Sequence, residues 1–204
     1  MMEFSEIVES SLKQLNLVVD QTVIQRLQIY QALLLRWNRT INLTAITESD
    51  KIVTHHLLDA LAVHEFIIGQ RVLDVGSGAG LPGIPLALIN PDKDFILLDS
   101  NGKKTRFMTQ ARIELGLENV TVVKSRIEDY DDRVDHVISR AFSSLAEFGH
   151  FCLRLLEKNG SLLAMKGPGY EIELAALECA FTRVHQVSVP NLNAERYLIE
   201  VAAN

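Results

Sequence analysis

The stretch Arg71-Val-Leu-Asp-Val-Gly-Ser-Gly-Ala-Gly-Leu-Pro-Gly83 decides the fold. Residues 72–75 form a short apolar run broken only by Asp74, the pattern of a buried strand. Glycines follow at 76, 78 and 80. Without a Cβ, such a turn reaches positive φ and lets backbone N–H groups approach a ligand. Pro82 suits the first turn of the next helix, where its missing N–H would have no partner anyway. Strand, glycine turn and helix in succession are how a doubly wound α/β sheet builds a nucleotide site.

Two nucleotide readings compete. Gly78-x-Gly80-x-x-Gly83 satisfies the dinucleotide fingerprint, whereas Gly76-x-Gly78-x-Gly80 is the S-adenosylmethionine turn of class I methyltransferases. Asp74 favours the second, because a carboxylate ahead of the turn is placed to reach a cationic methionine end and would repel a pyrophosphate. Length favours it too, since 204 residues are few for a dinucleotide domain plus a separate substrate domain. The plainer alternative is a turn that merely connects strand to helix.

Outward from this stretch the alternation continues. Runs at 95–98, 120–123, 136–138 and 161–164 read as strands, and helix-like runs begin after Leu81, Gly102, Ser144 and Tyr170. This predicts a Rossmann-like α/β fold, a mostly parallel sheet with helices on both faces. The tail runs at 184–189 and 197–201 have only a short link at Pro190 between them, too short for a helical crossover, and predict an antiparallel hairpin at the sheet edge. Before residue 70 the apolar residues recur at helical steps: Phe4, Ile7, Val8, Leu12 and Leu15, then Val23, Leu27, Tyr30, Leu34 and Trp37, with Asp20 as an N-cap between them. Residues 38–47 look irregular, and 51–66 resume a helical period. The expected organisation is a helical extension over 1–69 packed on a class I methyltransferase domain over 70–204, as one structural unit.

Composition bounds the partners. Hydrophobic residues make up 48% of the chain, enough for a normal core, and the net charge of −6 excludes a general polyanion binder held by a basic surface. Any nucleic acid must therefore meet a local basic patch. Cys152 and Cys179 lie far apart in apolar helix-like segments, which points to packing and not to a disulfide framework or metal site. There is no signal-peptide core, and no apolar run reaches membrane-spanning length. A cytoplasmic monomer without membrane contact is expected.

Ligands of such sheets bind beyond the carboxyl ends of the strands, which selects the candidate residues. Asp99 follows the second strand, where a carboxylate accepts from both ribose hydroxyls; its alternative role is to cap the next helix. Ile127 and Glu128 follow the third strand, in the loop that covers adenine in methyltransferase sheets; a charged loop there is otherwise solvated surface. The fourth strand ends in Ser139-Arg140-Ala141-Phe142, where amino-group methyltransferases place a polar-Pro-Pro-aromatic motif. An arginine in that place offers donors and no acceptor, which suits the N7 and O6 edge of guanine. A ring nitrogen already has its lone pair and needs no general base. The competing role for Arg140 is an ion pair with a nearby carboxylate. Lys103, Lys104, Arg106, Lys166 and Arg196 are candidates to hold RNA phosphates. Arg36 to Arg39 is a second basic candidate, with Trp37 in the core. His55, His56 and Asp59 tempt a metal reading, but adjacent histidines point about 100° apart on a helix. Packing or capping is favoured there, and no metal is expected.

The words Trp37-Asn-Arg-Thr-Ile-Asn-Leu-Thr44, His56-Leu-Leu-Asp59, Asp74-Val-Gly-Ser-Gly-Ala-Gly-Leu-Pro-Gly-Ile-Pro85, Leu98-Asp-Ser-Asn-Gly-Lys-Lys104 and Ser139-Arg-Ala-Phe142 occur in one order. Together they resemble the ribosomal RNA small subunit methyltransferase G family, also called glucose-inhibited division protein B, over nearly the full chain. The resemblance implies S-adenosylmethionine-dependent methylation of guanine N7 in 16S ribosomal RNA, at guanine 527 of the decoding-region loop, with the small ribosomal subunit or its precursor as partner. It implies cofactor contacts at Gly76, Leu81, Ile127, Glu128 and Arg140; Gly78 and Asp99 join them from the turn and strand-end arguments. The mechanism expected is direct in-line transfer, with alignment and electrostatics from the protein and no side chain acting as base. Arg140, Lys103 and Lys166 are the positioning candidates. Two readings from other classes remain, a nicotinamide-dependent oxidoreductase and a non-catalytic ribosome-assembly RNA-binding module.

Overall fold

A computed structural model describes residues 4–140, 142–177 and 182–202. Seven strands, β1 (Arg71–Val75), β2 (Asp94–Asp99), β3 (Val120–Lys124), β4 (Val134–Ser139), β5 (Leu156–Lys166), β6 (Thr182–Val187) and β7 (Arg196–Ala202), form one sheet. Their order is β3-β2-β1-β4-β5-β7-β6. The first five are parallel, β7 runs antiparallel to β5, and β6 antiparallel to β7. Strand order therefore reverses between β1 and β4, which opens a crevice beyond their carboxyl ends. The tail hairpin is present as the short link required.

The helices are α1 (Phe4–Gln14), α2 (Gln21–Ile41), α3 (Ser49–Ile52), α4 (Asp59–Leu61), α5 (Gly83–Ile89), α6 (Gly102–Glu114), α7 (Leu145–Cys152) and α8 (Tyr170–Ala175). They cover both faces of the sheet. Because successive strand residues point to opposite faces, Val72, Phe95 and Leu97 pack with α1, α2, α5 and α6, while Leu73, Ile96 and Leu98 pack with α7. Central strands buried on both sides explain why these runs are almost wholly apolar. The helical head is part of the first of these cores: Val8, Leu12, Leu27 and Leu34 belong to the same buried cluster as β1 and β2. Asp20 caps α2 by accepting from the amide of Val23 at 3.1 Å, and Asn42 ends it in the left-handed region at φ 47°.

Several local details depart from the sequence expectation or decide between its alternatives, among them α2, which continues to Ile41 into the stretch read as irregular. Residues 51–66 are not one α-helix: α3 passes into a π-helical turn (Val53–Leu58), then α4, then a 3-10 turn (His64–Phe66). Here Val53, His56, Leu57, Leu58 and Asp59 are all buried, more of each turn than an amphipathic α-helix hides. The wider π turn accommodates that burial between head and sheet. Pro82 stands at the cap position of α5, one residue before the first turn. The cap of α6 is Asn101, whose side chain accepts from the amide of Lys103, so the capping alternative for Asp99 falls to its neighbour. Among the described residues no helix is long and apolar enough to cross a membrane.

Candidate functional site

The glycine turn is built by its own chemistry. Gly76, Gly78 and Gly80 have φ of 67°, 62° and 80°, conformations that side chains with a Cβ rarely adopt. The amides of Gly76 and Ser77 both donate to the Leu98 carbonyl, at 2.9 and 3.1 Å, which ties the turn to the end of β2. Asp74 lies fully buried beneath it, accepting from Ser77 Oγ at 2.5 Å and from the Gly83 amide at 2.9 Å. Burial pushes its carboxyl up to about 6, against the pull of those two hydrogen bonds. Asp74 thus braces the turn from below and lines neither of the cavities described next. A second brace comes from the head: the buried Tyr30 hydroxyl donates to the Ala79 carbonyl at 2.5 Å. Helical spacing marked Tyr30 only as core, and nothing local to α2 points to this bond.

The glycines divide by what surrounds them. A Cβ on Gly80 would stand 2.3 Å from Ile84, and one on Gly83 2.2 Å from Leu97, so these two permit helix and strand to pack. Gly76 has nothing within 4 Å of that position. It borders a cavity of about 270 Å³ with Val75, Asp99, Ile127, Glu128 and Phe142. A Cβ there would meet no protein atom and would take up room in that cavity. Asp99 is nearly buried; its Oδ2 accepts from the Gly78 amide at 3.0 Å and its Oδ1 from the Asn101 amide at 2.8 Å. Lys104 Nζ stands 3.8 Å from the same carboxylate. Leu81 is buried in the core, its amide donating to Ser77 O at 3.0 Å.

A second cavity, about 370 Å³, is bordered by His55, His56, Asp59, Arg140, Lys166 and Arg196. The turn and tail meet here. Arg140 Nη1 donates to the His55 carbonyl at 3.1 Å and lies 3.4 Å from Asp59 Oδ2, while Arg196 Nε donates to Asp59 Oδ1 at 2.8 Å. Lys166 donates to Glu173 at 2.7 Å and to the Phe142 carbonyl at 3.3 Å. Phe142 borders the first cavity and touches Lys166 of the second, so the two are neighbours across the end of β4. Arg140 therefore sits with the second cavity and also carries the carboxylate pairing that was its alternative. His56 is fixed as the Nδ1–H tautomer by the His55 carbonyl at 2.9 Å, leaving Nε2 to accept from Thr44 Oγ1 at 2.7 Å. Burial and the Arg140 charge push its pKa down to about 4, so the ring is neutral at pH 7.

The structure thus gathers Gly76, Asp99, Ile127 and Glu128 at one cavity and Arg140, Lys166 and Arg196 at the other. Lys103 and Arg106 are exposed on the first turns of α6, outside both. His55, His56 and Asp59, read from sequence as packing or capping, border the second cavity. One signal could have found Asp59: a carboxylate in an apolar helical run is seldom buried unpaired. Among the described residues no His, Cys, Asp and Glu group could hold a metal ion. Cys152 is buried, which pushes its thiol up to about 12, and Cys179 lies outside the described residues.

Residues 23–199 match the family model described as GidB, rRNA small subunit methyltransferase G. The chain is 46% identical over 199 residues to the ribosomal RNA small subunit methyltransferase G of Nitrosococcus oceani, covering 96% of this chain and 93% of that one. It is 47% identical over 195 residues to the protein of the same name from Aeromonas hydrophila, covering 93% and 90%. Among solved structures, the O-methyltransferase TomG from Streptomyces achromogenes, in complex with SAM, is similar at a TM-score of 0.59 with 15% identity over 100% of both chains. A SAM dependent methyltransferase from Aquifex aeolicus is similar at 0.57 with 20% identity, over 76% of this chain and 93% of that one. At such identities the likeness concerns the fold, a class I methyltransferase sheet. The family match spans both the braced glycine turn and the Arg140 cavity beside it, and with relatives this similar over nearly their whole length the chain belongs to the ribosomal RNA small subunit methyltransferase G family.

Proposed function

We propose that this chain methylates N7 of a guanine in 16S ribosomal RNA, with the Gly76 cavity holding S-adenosylmethionine and the Arg140 cavity receiving the base. The observation that carries this reading is the adjacency of the two cavities at the strand-order reversal, one open where a Gly76 side chain would be, the other ringed by cations. The residues fit the donor: the Asp99 carboxylate keeps lone pairs beyond those used by the Gly78 and Asn101 amides and can accept from ribose hydroxyls, and Ile127 offers an apolar wall with Glu128 at the cavity edge. When bound, S-adenosylmethionine supplies a methyl made electrophilic by its sulfonium.

The chain's own residues bind and orient. Guanine presents N7 and O6 as adjacent acceptors, matched by the guanidinium of Arg140 and the ammonium of Lys166. N7 carries a free lone pair, so no proton has to be removed, and the neutral His56, with its Nδ1–H on the His55 carbonyl, adds no charge beside Arg140. Lys103, Lys104 and Arg106 at the start of α6, with Arg196, are proposed to grip RNA phosphates. Leu81 and Gly78 contribute through the turn backbone. The finer expectations belong to the same proposal: guanine 527 as the target, the small subunit or its precursor as the particle, one structural unit, and a cytoplasmic monomer. Neither the nicotinamide oxidoreductase nor the non-catalytic module is favoured by the relatives or by the fold neighbours.

The test uses labelled S-adenosylmethionine with 16S RNA from cells lacking the modification. Label should enter one guanine. RNA carrying 7-deazaguanine, which has a carbon in place of N7, should accept none. Binding of RNA without any transfer would leave the non-catalytic module standing, and label on an exocyclic amine would overturn the N7 assignment.

A further inference from the structure

We infer that Asp59 is a positioning residue for the base-receiving cavity, holding Arg140 and Arg196 together so that their outer N–H groups face the RNA. This rests on the proposed function of that cavity. Asp59 is the first residue of α4, directly after the π-helical turn, and its side chain is 5% exposed. Its two oxygens serve two guanidiniums from distant parts of the chain: Oδ1 takes Arg196 Nε at 2.8 Å, from the start of β7, and Oδ2 lies 3.4 Å from Arg140 Nη1, at the end of β4. The second contact of each arginine is a carbonyl, His55 O at 3.1 Å for Arg140 and Glu195 O at 3.0 Å for Arg196. Among the described residues Nε and Nη2 of Arg140 and Nη2 of Arg196 have no hydrogen-bond partner. Both side chains are about a quarter exposed, at 23% and 25%, on the cavity side.

The charge balance makes the argument specific. One buried carboxylate against two guanidiniums leaves a net positive trio, so the site attracts RNA while each arginine is held in one geometry. His56, also in reach of Arg140, is neutral and does not alter this sum. Lys166 has its own carboxylate in Glu173. A carboxylate that only neutralised the site would weaken RNA binding, and its removal would tighten it, as phosphate attraction scales with nearby positive charge. A carboxylate that aims two forked donors has the opposite effect when lost.

The experiment replaces Asp59 by Asn, nearly the same shape without the charge. The variant's affinity for in-vitro transcribed 16S RNA, measured by filter binding, should fall about ten-fold or more despite the gain in positive charge. KM for RNA should rise and kcat fall, with the Kd for S-adenosylmethionine within about two-fold of wild type. D59E should recover part of the RNA affinity, since a carboxylate again reaches the guanidiniums. RNA binding that is unchanged or tighter in folded D59N overturns the inference. If D59N does not fold, D59E alone decides: its displaced carboxylate should raise the KM for RNA and leave the donor Kd in place, and an unaltered KM overturns the inference. A wild-type protein that transfers no methyl to 16S RNA would instead overturn the reading of the site, a separate outcome.

Discussion

Gly76 differs from its neighbours because the space its side chain would fill contains no protein atom within 4 Å. Gly76→Val should therefore abolish donor binding, seen as loss of heat in calorimetric titration, through both the filled cavity and the strained φ of 67°. Gly80→Ala should act differently, lowering the urea midpoint, because its Cβ meets Ile84. Asp74 makes a residue-scale statement about pH. Its carboxyl is raised from 3.8 to about 6 in the folded protein. The folded state then holds more protons than the unfolded state across that window, and the Asp74 contribution to stability falls as pH rises through it. Asp74→Asn removes this dependence while keeping an acceptor for Ser77 and Gly83. Its stability relative to wild type should rise by roughly 2 kcal/mol between pH 4 and pH 7, measured by urea melts at each pH. The buried His56 works the other way in wild type and variant alike: held at about 4 against 6.5, it costs stability as pH falls, so only the difference between the two proteins isolates Asp74.

At the scale of elements, α2 and the glycine turn form one device. The Tyr30 hydroxyl reaches from the third turn of α2 to the Ala79 carbonyl, 49 residues away in sequence, and its ring packs on Phe107 of α6 at 6.3 Å between centroids. A buried carbonyl that loses its donor costs roughly 1–3 kcal/mol. Tyr30→Phe keeps the ring contact and should weaken S-adenosylmethionine binding about ten-fold, with RNA affinity unchanged, a split readable by calorimetry and filter binding. The π-helical turn (Val53–Leu58) is the corresponding device on the second cavity. It sets His55 O, His56 and Asp59 toward the ends of β4 and β7, and an uninterrupted α-helix would rotate Asp59 away from them.

Across the whole molecule the head and the sheet share a buried cluster; the head lines the second cavity through His55, His56 and Asp59 and braces the glycine turn beside the first through Tyr30. One cooperative unfolding transition is therefore expected. Trp37, the single tryptophan, packs edge-on against Phe107 at 5.7 Å and reports the head, whereas far-UV circular dichroism reports all helices. The two urea curves should coincide; separate midpoints would show that residues 1–69 unfold independently. RNA binding should weaken steeply with salt, because each phosphate neutralised by the proposed local cations releases condensed counterions, and a net charge of −6 supplies no general attraction in their place. The strands, the parallel-to-antiparallel change at the tail and the glycine turn were legible in the chain because each is a local pattern: apolar runs of strand length, a link too short for a crossover, glycines where φ must be positive. Asp99, Ile127 and Glu128 followed from one rule about strand ends. The contacts of Asp59 and Tyr30 were not legible, since their partners at 196 and 79 come close only when strand order brings β4 and β7 to the same rim and buries α2 against the turn. Sequence alone determined the alternation of elements and the place of the glycine turn, because spacing and backbone stereochemistry act over a few residues. Only tertiary structure decided which charges face each other, because burial of a carboxylate and the choice of its partners depend on groups the chain delivers from far away.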